Sequence, residues 1–271
     1  MPELPEVETT CRGIAPHIIN QKIQTIIIRQ AQLRWPIPDD LPKLLSNSFL
    51  HTVKRRGKYL LLEFDTGHVL IHLGMSGSLR IVNIDQPAEK HDHIDLAFHN
   101  KKMLRLTDPR RFGAVMWLGK SPYQHFLLNK LGPEPLSENF NGQYLYEYSR
   151  GRKLTVKQFI MDQKIVVGIG NIYANEALFL CGIRPTRNAG NISKKRYHAL
   201  VESIQSILKN AINKGGTTLK DFVGGDGKPG YFSQQLQVYG KAGCPCPVCN
   251  AILKEVKISS RSTVFCQNCQ K

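Results

Sequence analysis

Lys58-Tyr-Leu-Leu-Leu-Glu-Phe-Asp-Thr-Gly-His-Val-Leu-Ile-His-Leu73 contains two short apolar runs, Lys58 to Phe64 and His68 to Leu73, either side of Asp65-Thr-Gly. Runs of this length bounded by Asp and Gly are too short for a helix and suit a strand. The rhythm recurs in Thr25-Ile-Ile-Ile-Arg, Ile94-Asp-Leu-Ala-Phe, Met103-Leu-Arg-Leu and Ala114-Val-Met-Trp-Leu, with Gly, Asp, Asn and Pro between. After a short helical opening, this half of the chain is predicted to be a β-sandwich.

Past the middle the rhythm changes. Gly132-Pro-Glu-Pro-Leu-Ser-Glu-Asn-Phe-Asn-Gly is rich in Pro, Asn and Gly, and reads as a linker. A helix is expected to start at the N-cap Ser193 and to bury Tyr197, Val201, Ile204, Leu208, Ala211 and Ile212 before Gly215 and Gly216 stop it. Residues 215–230 hold six glycines and no apolar period, which marks a loop of the kind that often carries function. The expected architecture is α+β: a sandwich domain over 1–131, a linker over 132–149, a helical domain over 150–236 and a cysteine-rich end over 237–271.

The 271 residues are 41% hydrophobic, enough for a packed core and unlike a disordered or fibrous chain. No stretch approaches the roughly 18 apolar residues of a membrane span, and the acidic opening lacks the features of a signal peptide. A soluble, cytoplasmic protein is expected. Its 37 Lys and Arg against 21 Asp and Glu give a net charge of +16. The excess is lopsided: residues 1–149 hold 18 basic and 15 acidic side chains, residues 150–271 hold 19 and 6. Such a field draws polyanions, and nucleic acid is the expected partner.

Five of the seven cysteines lie between Cys244 and Cys269. Cys246-x2-Cys249 and Cys266-x2-Cys269 have the spacing of a four-thiolate zinc site, each pair offering two sulfurs from a tight turn. Cys244 is a fifth thiol, read as a spectator, with replacement of Cys246 as the alternative. Cys11 and Cys181 stand in apolar surroundings and are expected to be buried and inert. A ribbon this small is folded by its metal, and Arg261, Ser262 and Thr263 are placed at its tip.

Pro2 follows the initiator Met. Removal of Met1 would leave a secondary α-amine with a pKa of about 8, part of it neutral and nucleophilic at pH 7. Glu3 is the adjacent acid/base candidate. Pro5, Glu6 and Glu8 are explained by a helix start; Pro2 and Glu3 are not. Gly168-x-Gly170-Asn171 precedes a helix-like stretch and suits a phosphate, whereas the third glycine of a dinucleotide motif is missing. His91-x-His93 is thin as a metal motif.

Taken in order, Pro2-Glu-Leu-Pro-Glu-Val-Glu, Arg55-Arg-Gly-Lys-Tyr, His72-Leu-Gly-Met-Ser-Gly, Lys90-His-Asp-His, Asp108-Pro-Arg-Arg-Phe-Gly, Gly168-Ile-Gly-Asn-Ile-Tyr and the four-cysteine end resemble the bacterial formamidopyrimidine-DNA glycosylases over the whole chain. The sibling endonuclease VIII group typically opens Pro-Glu-Gly-Pro-Glu, and Leu4 with the Met75 motif is similar to the purine-lesion branch. The resemblance implies a monomer that acts on damaged duplex DNA, excising oxidised purines such as 8-oxoguanine and formamidopyrimidines and then cutting the abasic strand, with one structural zinc, no organic cofactor and residence at the bacterial nucleoid. It also implies roles: Pro2 as nucleophile, Glu3 as proton donor, Lys58 in β-elimination and phosphate binding, and Arg261 in δ-elimination. Met75, Arg110 and Phe112 would fill the space left by the everted base, and Asn171 in a helix-two-turn-helix would hold phosphate. His91 would contact DNA. Arg152 stands where the family usually has a lysine, and the loop bearing Thr217, Thr218 and Lys220 would close over the base. On neighbours alone, Lys58 is one more solvated charge, and Met75 and Phe112 are core. Two other readings stay open: a pyrimidine-lesion glycosylase on the same scaffold, and a non-catalytic zinc-ribbon protein that binds DNA.

Overall fold

The computed structural model describes residues 2–217 and 235–271. They divide into two compact units, residues 2–129 with 214–217, and residues 130–213 with 235–271.

The first unit is a sandwich of two antiparallel sheets with helix α1 (Leu4–Ile18) packed on it and a short helix α2 (Leu41–Leu44) beside β1. One sheet has the order β1-β6-β7-β5, from β1 (Ile23–Ile28), β5 (Ser78–Asn83), β6 (Asp92–Phe98) and β7 (Lys102–Thr107). The other has the order β2-β3-β4-β8, from β2 (Leu50–Arg56), β3 (Tyr59–Phe64), β4 (Gly67–His72) and β8 (Ala114–Gly119). The period of two places Leu60, Leu62, Phe64, Val69 and Ile71 in one core with Ile94, Leu96, Phe98, Leu104 and Leu106 of the facing sheet. Val7, Cys11, Ile14 and Ile18 of α1, at helical spacing, join the same core. Each such side chain contributes roughly 1.5–3 kcal/mol by leaving water.

Two strands do not show in the apolar rhythm. β2 reads Leu-His-Thr-Val-Lys-Arg-Arg and β5 reads Ser-Leu-Arg-Ile-Val-Asn, and each lies at the end of its sheet with one partner strand. In both, charged and polar side chains break up the few apolar residues, whereas β1 and β8, at the opposite ends of the same sheets, keep apolar runs, so composition and not edge position hides the signal.

The second unit contains α3 (Gly142–Ser149), α4 (Val156–Met161), α5 (Asn171–Leu180), α6 (Lys194–Asn213) and the hairpin β9 (Lys254–Ile258) with β10 (Arg261–Phe265). Helix α6 buries all six residues expected of it, and Ser193 Oγ accepts from Arg196 N at its start. The linker expected over 132–149 is corrected in its second part, since residues 142–149 are helix α3. Asn141 caps it by accepting from Tyr144 N, and it packs on α6 with Leu145 buried. Eight residues with a single aliphatic side chain are too short to outweigh the Pro, Asn and Gly before them. Phe179 of α5 joins Val238, Cys246, Leu253, Val264 and Cys266 in a small core under the hairpin. Among the described residues no helix is long and apolar enough to cross a membrane.

Candidate active site

Glu3 is the N-cap of α1 and forms a reciprocal box with Glu6: the Glu3 side chain accepts from the Glu6 amide, and Glu6 Oε2 accepts from Glu3 N at 2.9 Å. Pro5 sits in the first turn, where its missing N–H costs nothing. Pro2 therefore stands directly ahead of a fixed cap. It is buried, and Glu3 and Glu6 are each 2% exposed. Glu6 also reaches the far end of the unit, where Oε1 accepts from Thr217 N at 2.8 Å. At Gly216, with φ +82°, a Cβ would meet that carboxylate at 3.2 Å. Read as a helix-start acid, Glu6 shows nothing of this second contact, which spans 211 positions.

Lys58 is the second residue of the Gly57-Lys58 turn joining β2 to β3, where Arg56 pairs with Tyr59 and Gly57 takes φ 58°. It is 5% exposed, so it is not one of the solvated charges of its cluster. Arg55 ties this turn to α1: Nε donates to Glu8 Oε2 at 2.7 Å and Nη1 to Gly57 O at 3.0 Å. Burial pushes the Glu8 carboxyl upward, but hydrogen bonds from Arg55 and Arg12 outweigh it and hold the group below the usual carboxylate range. Burial, then the charges of Lys58 and Arg34, bring His72 down to about 4. Its neutral ring accepts from Gly74 N at 3.2 Å through Nδ1.

Met75 and Phe112 are 41% and 44% exposed, outside the sandwich core that their apolar neighbours suggested. The Arg110 guanidinium lies 4.9 Å from the centre of the Phe112 ring. An open hollow of about 580 Å³ beside them is lined by Leu33, Arg34, His72 and Arg111. His91 is half-buried with its ring 6.5 Å from that of His93, and His93 shares a hydrogen bond with Asp108 O at 2.7 Å. Among the described residues only the four cysteines gather as metal ligands, so His91 and His93 do not form such a group.

In the second unit Asn171 is the first residue of α5, after Gly170 in extended conformation. Its side chain is held from both ends: Oδ1 accepts from Lys157 Nζ at 2.6 Å, and Nδ2 donates to Ser262 O at 3.0 Å. Lys157, 1% exposed, donates further to Ser262 O at 3.0 Å and Thr263 Oγ1 at 2.7 Å. Glu176, later in α5, accepts from the amides of Gln237, Val238 and Tyr239 at 2.8, 2.9 and 2.8 Å. Neither Lys157 nor Glu176 carries a motif that singles it out. The hairpin tip is Ser259-Ser260, both with positive φ as a two-residue hairpin turn needs. Arg261 follows it, exposed, on a cleft of about 230 Å³ shared with Lys157, Gln158 and Asp162. Arg261, Ser262 and Thr263, expected at the tip, all lie within β10 instead, with Thr263 fully buried. Arg152 is exposed and donates to Tyr148 O at the end of α3. Lys220 and Thr218 lie outside the described residues.

The sulfurs of Cys246, Cys249, Cys266 and Cys269 all lie within 4.8 Å of one another, with 3.9 Å between Cys246 and Cys269 and 3.5 Å between Cys249 and Cys266. Zinc–sulfur bonds of about 2.3 Å in a tetrahedron place sulfurs about 3.8 Å apart, so the cage fits one zinc ion. Gln270 braces it, accepting from Cys266 N and donating to Ile183 O, each at 2.9 Å. Cys244 is exposed and outside the cluster. Burial raises the thiols of Cys11 and Cys181 to about 11, which makes them inert, although Cys181 is only partly buried.

Residues 1–115 match the formamidopyrimidine-DNA glycosylase N-terminal domain, residues 131–223 the H2TH domain of the same glycosylases, and residues 243–271 a zinc finger found in FPG and IleRS. A formamidopyrimidine-DNA glycosylase of Psychromonas ingrahamii is 60% identical over 270 residues, covering 100% of both chains. Among solved structures, a complex between a Lactococcus lactis FPG mutant and Fapy-dG-containing DNA superposes with a TM-score of 0.93 at 35% identity, covering 100% of both chains. A complex of the Lactococcus lactis protein with DNA containing an abasic site gives 0.92 at 35% identity, covering 99% of each. With the zinc cage, the two sheets and the capped Pro2-Glu3 all in place, the chain belongs to the formamidopyrimidine-DNA glycosylase family.

Proposed function

We propose that this chain removes oxidised purines from duplex DNA and cleaves the abasic strand it creates, with the Pro2 amine as nucleophile. The observation that carries this is the head of α1. Pro2 is buried next to the Glu3–Glu6 box, and Arg55 links α1 to the turn that presents Lys58.

Once Met1 is removed, the amine lone pair attacks C1′ of the damaged nucleotide as the glycosidic C–N bond breaks. The base departs with a proton, and Glu3 is the donor nearest in sequence. The nitrogen gives up its own proton, and its lone pair then breaks the C1′–O4′ bond: the sugar ring opens, O4′ takes a proton to become the C4′ hydroxyl, and the resulting iminium makes the C2′ proton acidic. Its loss expels the 3′ phosphate, δ-elimination expels the 5′ phosphate, and water returns the amine. Lys58 serves the first elimination and the phosphate, and Arg261 serves the second. Met75, Arg110 and Phe112 fill the vacated space, which offsets part of the few kcal/mol that unstacking costs. Asn171, His91, Arg152 and Lys220 hold the backbone. The zinc ion supplies the rigidity of the hairpin that carries Arg261, and the chromosome in the cytoplasm is the place of action.

Borohydride trapping on a duplex with one 8-oxoguanine opposite cytosine tests this. A covalent adduct is expected from protein lacking Met1 and none from protein that retains it. DNA binding without an adduct, on this duplex and on an abasic one, would replace the reading with the non-catalytic one. Faster excision of oxidised pyrimidines than purines would favour the sibling specificity.

A further inference from the structure

Met75 and the Arg110–Phe112 pair come from different connections of the sandwich, Leu73–Gly77 between β4 and β5 and Asp108–Gly113 between β7 and β8. Each turn is tightly made. Gly77 N donates to Leu73 O at 2.8 Å in the first, and Arg111 N to Asp108 O at 3.2 Å in the second. One carboxylate joins them. Asp108, fully buried, accepts at Oδ1 from Ser76 Oγ at 2.8 Å and from Arg110 N at 3.2 Å, and at Oδ2 from Gly113 N at 2.7 Å. Two of these donors bracket Arg111, a non-glycine residue in the left-handed region with φ 56°, a conformation that persists only where its surroundings enforce it. The third donor crosses to the residue next to Met75. The two turns also touch through their backbones, since a Cβ on Gly74 would lie 2.4 Å from the Phe112 carbonyl carbon.

From this geometry we infer that Asp108 is a positioning residue that locks the two turns into one probing unit, with Ser76 as the bridge. Met75, Phe112 and Arg110 are thereby presented in a fixed relation before DNA arrives, and the ordering cost of forming the wedge is met during folding. The inference rests on the proposed role of those three side chains in filling the space of the everted base.

Ser76→Ala removes the bridge and leaves Asp108 both of its amide donors. Asp108→Asn goes further: the Ser76 hydroxyl can reverse to accept from the new amide, but the Arg110 N–H cannot, so the second turn loses a support. Base eversion is read by the fluorescence of 2-aminopurine placed beside the lesion, excision by single-turnover release of 8-oxoguanine, and a control reaction by cleavage at a preformed abasic site. Thermal melting reports folding. Ser76→Ala is expected to slow eversion and excision about fivefold and Asp108→Asn tenfold or more, with abasic-site cleavage within twofold of the parent. If Asp108→Asn does not fold, Ser76→Ala decides alone. Parent rates in folded Ser76→Ala, alongside slow eversion in Met75→Ala and Phe112→Ala, would overturn the inference and leave the wedge reading intact. Parent rates in Met75→Ala and Phe112→Ala as well would overturn both.

Discussion

Lys157→Met removes a buried ammonium from the junction of α4, α5 and β10 while nearly keeping its shape. Three hydrogen bonds disappear, of 2.6 Å to Asn171, 3.0 Å to Ser262 and 2.7 Å to Thr263, each of a charged type contributing about 1.5–3 kcal/mol. Their sum overstates the loss. Methionine is spared the cost of burying a charge, several kcal/mol. Ser262 O still receives Asn171 Nδ2 at 3.0 Å, and Thr263 Oγ1 still donates to Arg261 O at 3.2 Å. The acceptor left stranded is Asn171 Oδ1, which sets the net cost at about 1–3 kcal/mol. A Tm lowered by roughly 2–10 °C is expected. Given the proposed phosphate role of Asn171, function should fall further than that suggests, because Ser262 O alone then holds the amide against turning away from phosphate. Affinity for a duplex with a tetrahydrofuran abasic analogue, read by fluorescence anisotropy, should drop about tenfold, the equivalent of about 1.4 kcal/mol. Asn171→Ala should lose as much, and the double variant little more, since both act through one contact. Unchanged affinity in Lys157→Met, or strict additivity with Asn171→Ala, would refute the reasoning.

Removing zinc with a chelator should release one ion per chain and unfold the hairpin, since structural zinc contributes roughly 10–16 kcal/mol to modules of this size; a stoichiometry other than one, or unchanged DNA affinity after release, would count against the cage. Cys244→Ser should keep its zinc, measured by a colorimetric zinc assay, whereas Cys266→Ser should lose it. His72 ionises near pH 4 in the folded chain and near 6.5 when unfolded, so the unfolded chain binds the extra proton first. The stability held above pH 6.5 is therefore lost as pH falls towards 4, by at most ~3 kcal/mol, and His72→Gln should flatten denaturant midpoints across that window.

The apolar strands, α6 and the zinc ligands were legible because each rests on a short-range pattern: a short apolar or alternating run, a period of 3.6, or a pair of x2 spacings. Strands β2 and β5 were not, because His, Lys and Arg in the first and Ser, Arg and Asn in the second interrupt the alternation. The proposed site residues divide in the same way. Pro2 and Glu3 could be suspected from chemistry alone, while Lys58, Met75 and Phe112 needed the family, since solvated charge and core are what their neighbours suggest. Glu6, Asp108, Lys157 and Glu176 act through partners as far as 211, 32, 106 and 63 positions away, and no local pattern announces such contacts.

The Glu6–Thr217 contact also sets an order in time. The proposed nucleophile is made together with Glu6, and the amide that completes the box behind it is encoded 211 positions later. At a synthesis rate of about 5–20 residues per second, roughly 10–40 s pass between the two. A nascent chain therefore carries the Pro2–Glu6 segment through that interval without the brace that closes over Glu6, and a product truncated before residue 217 never acquires it.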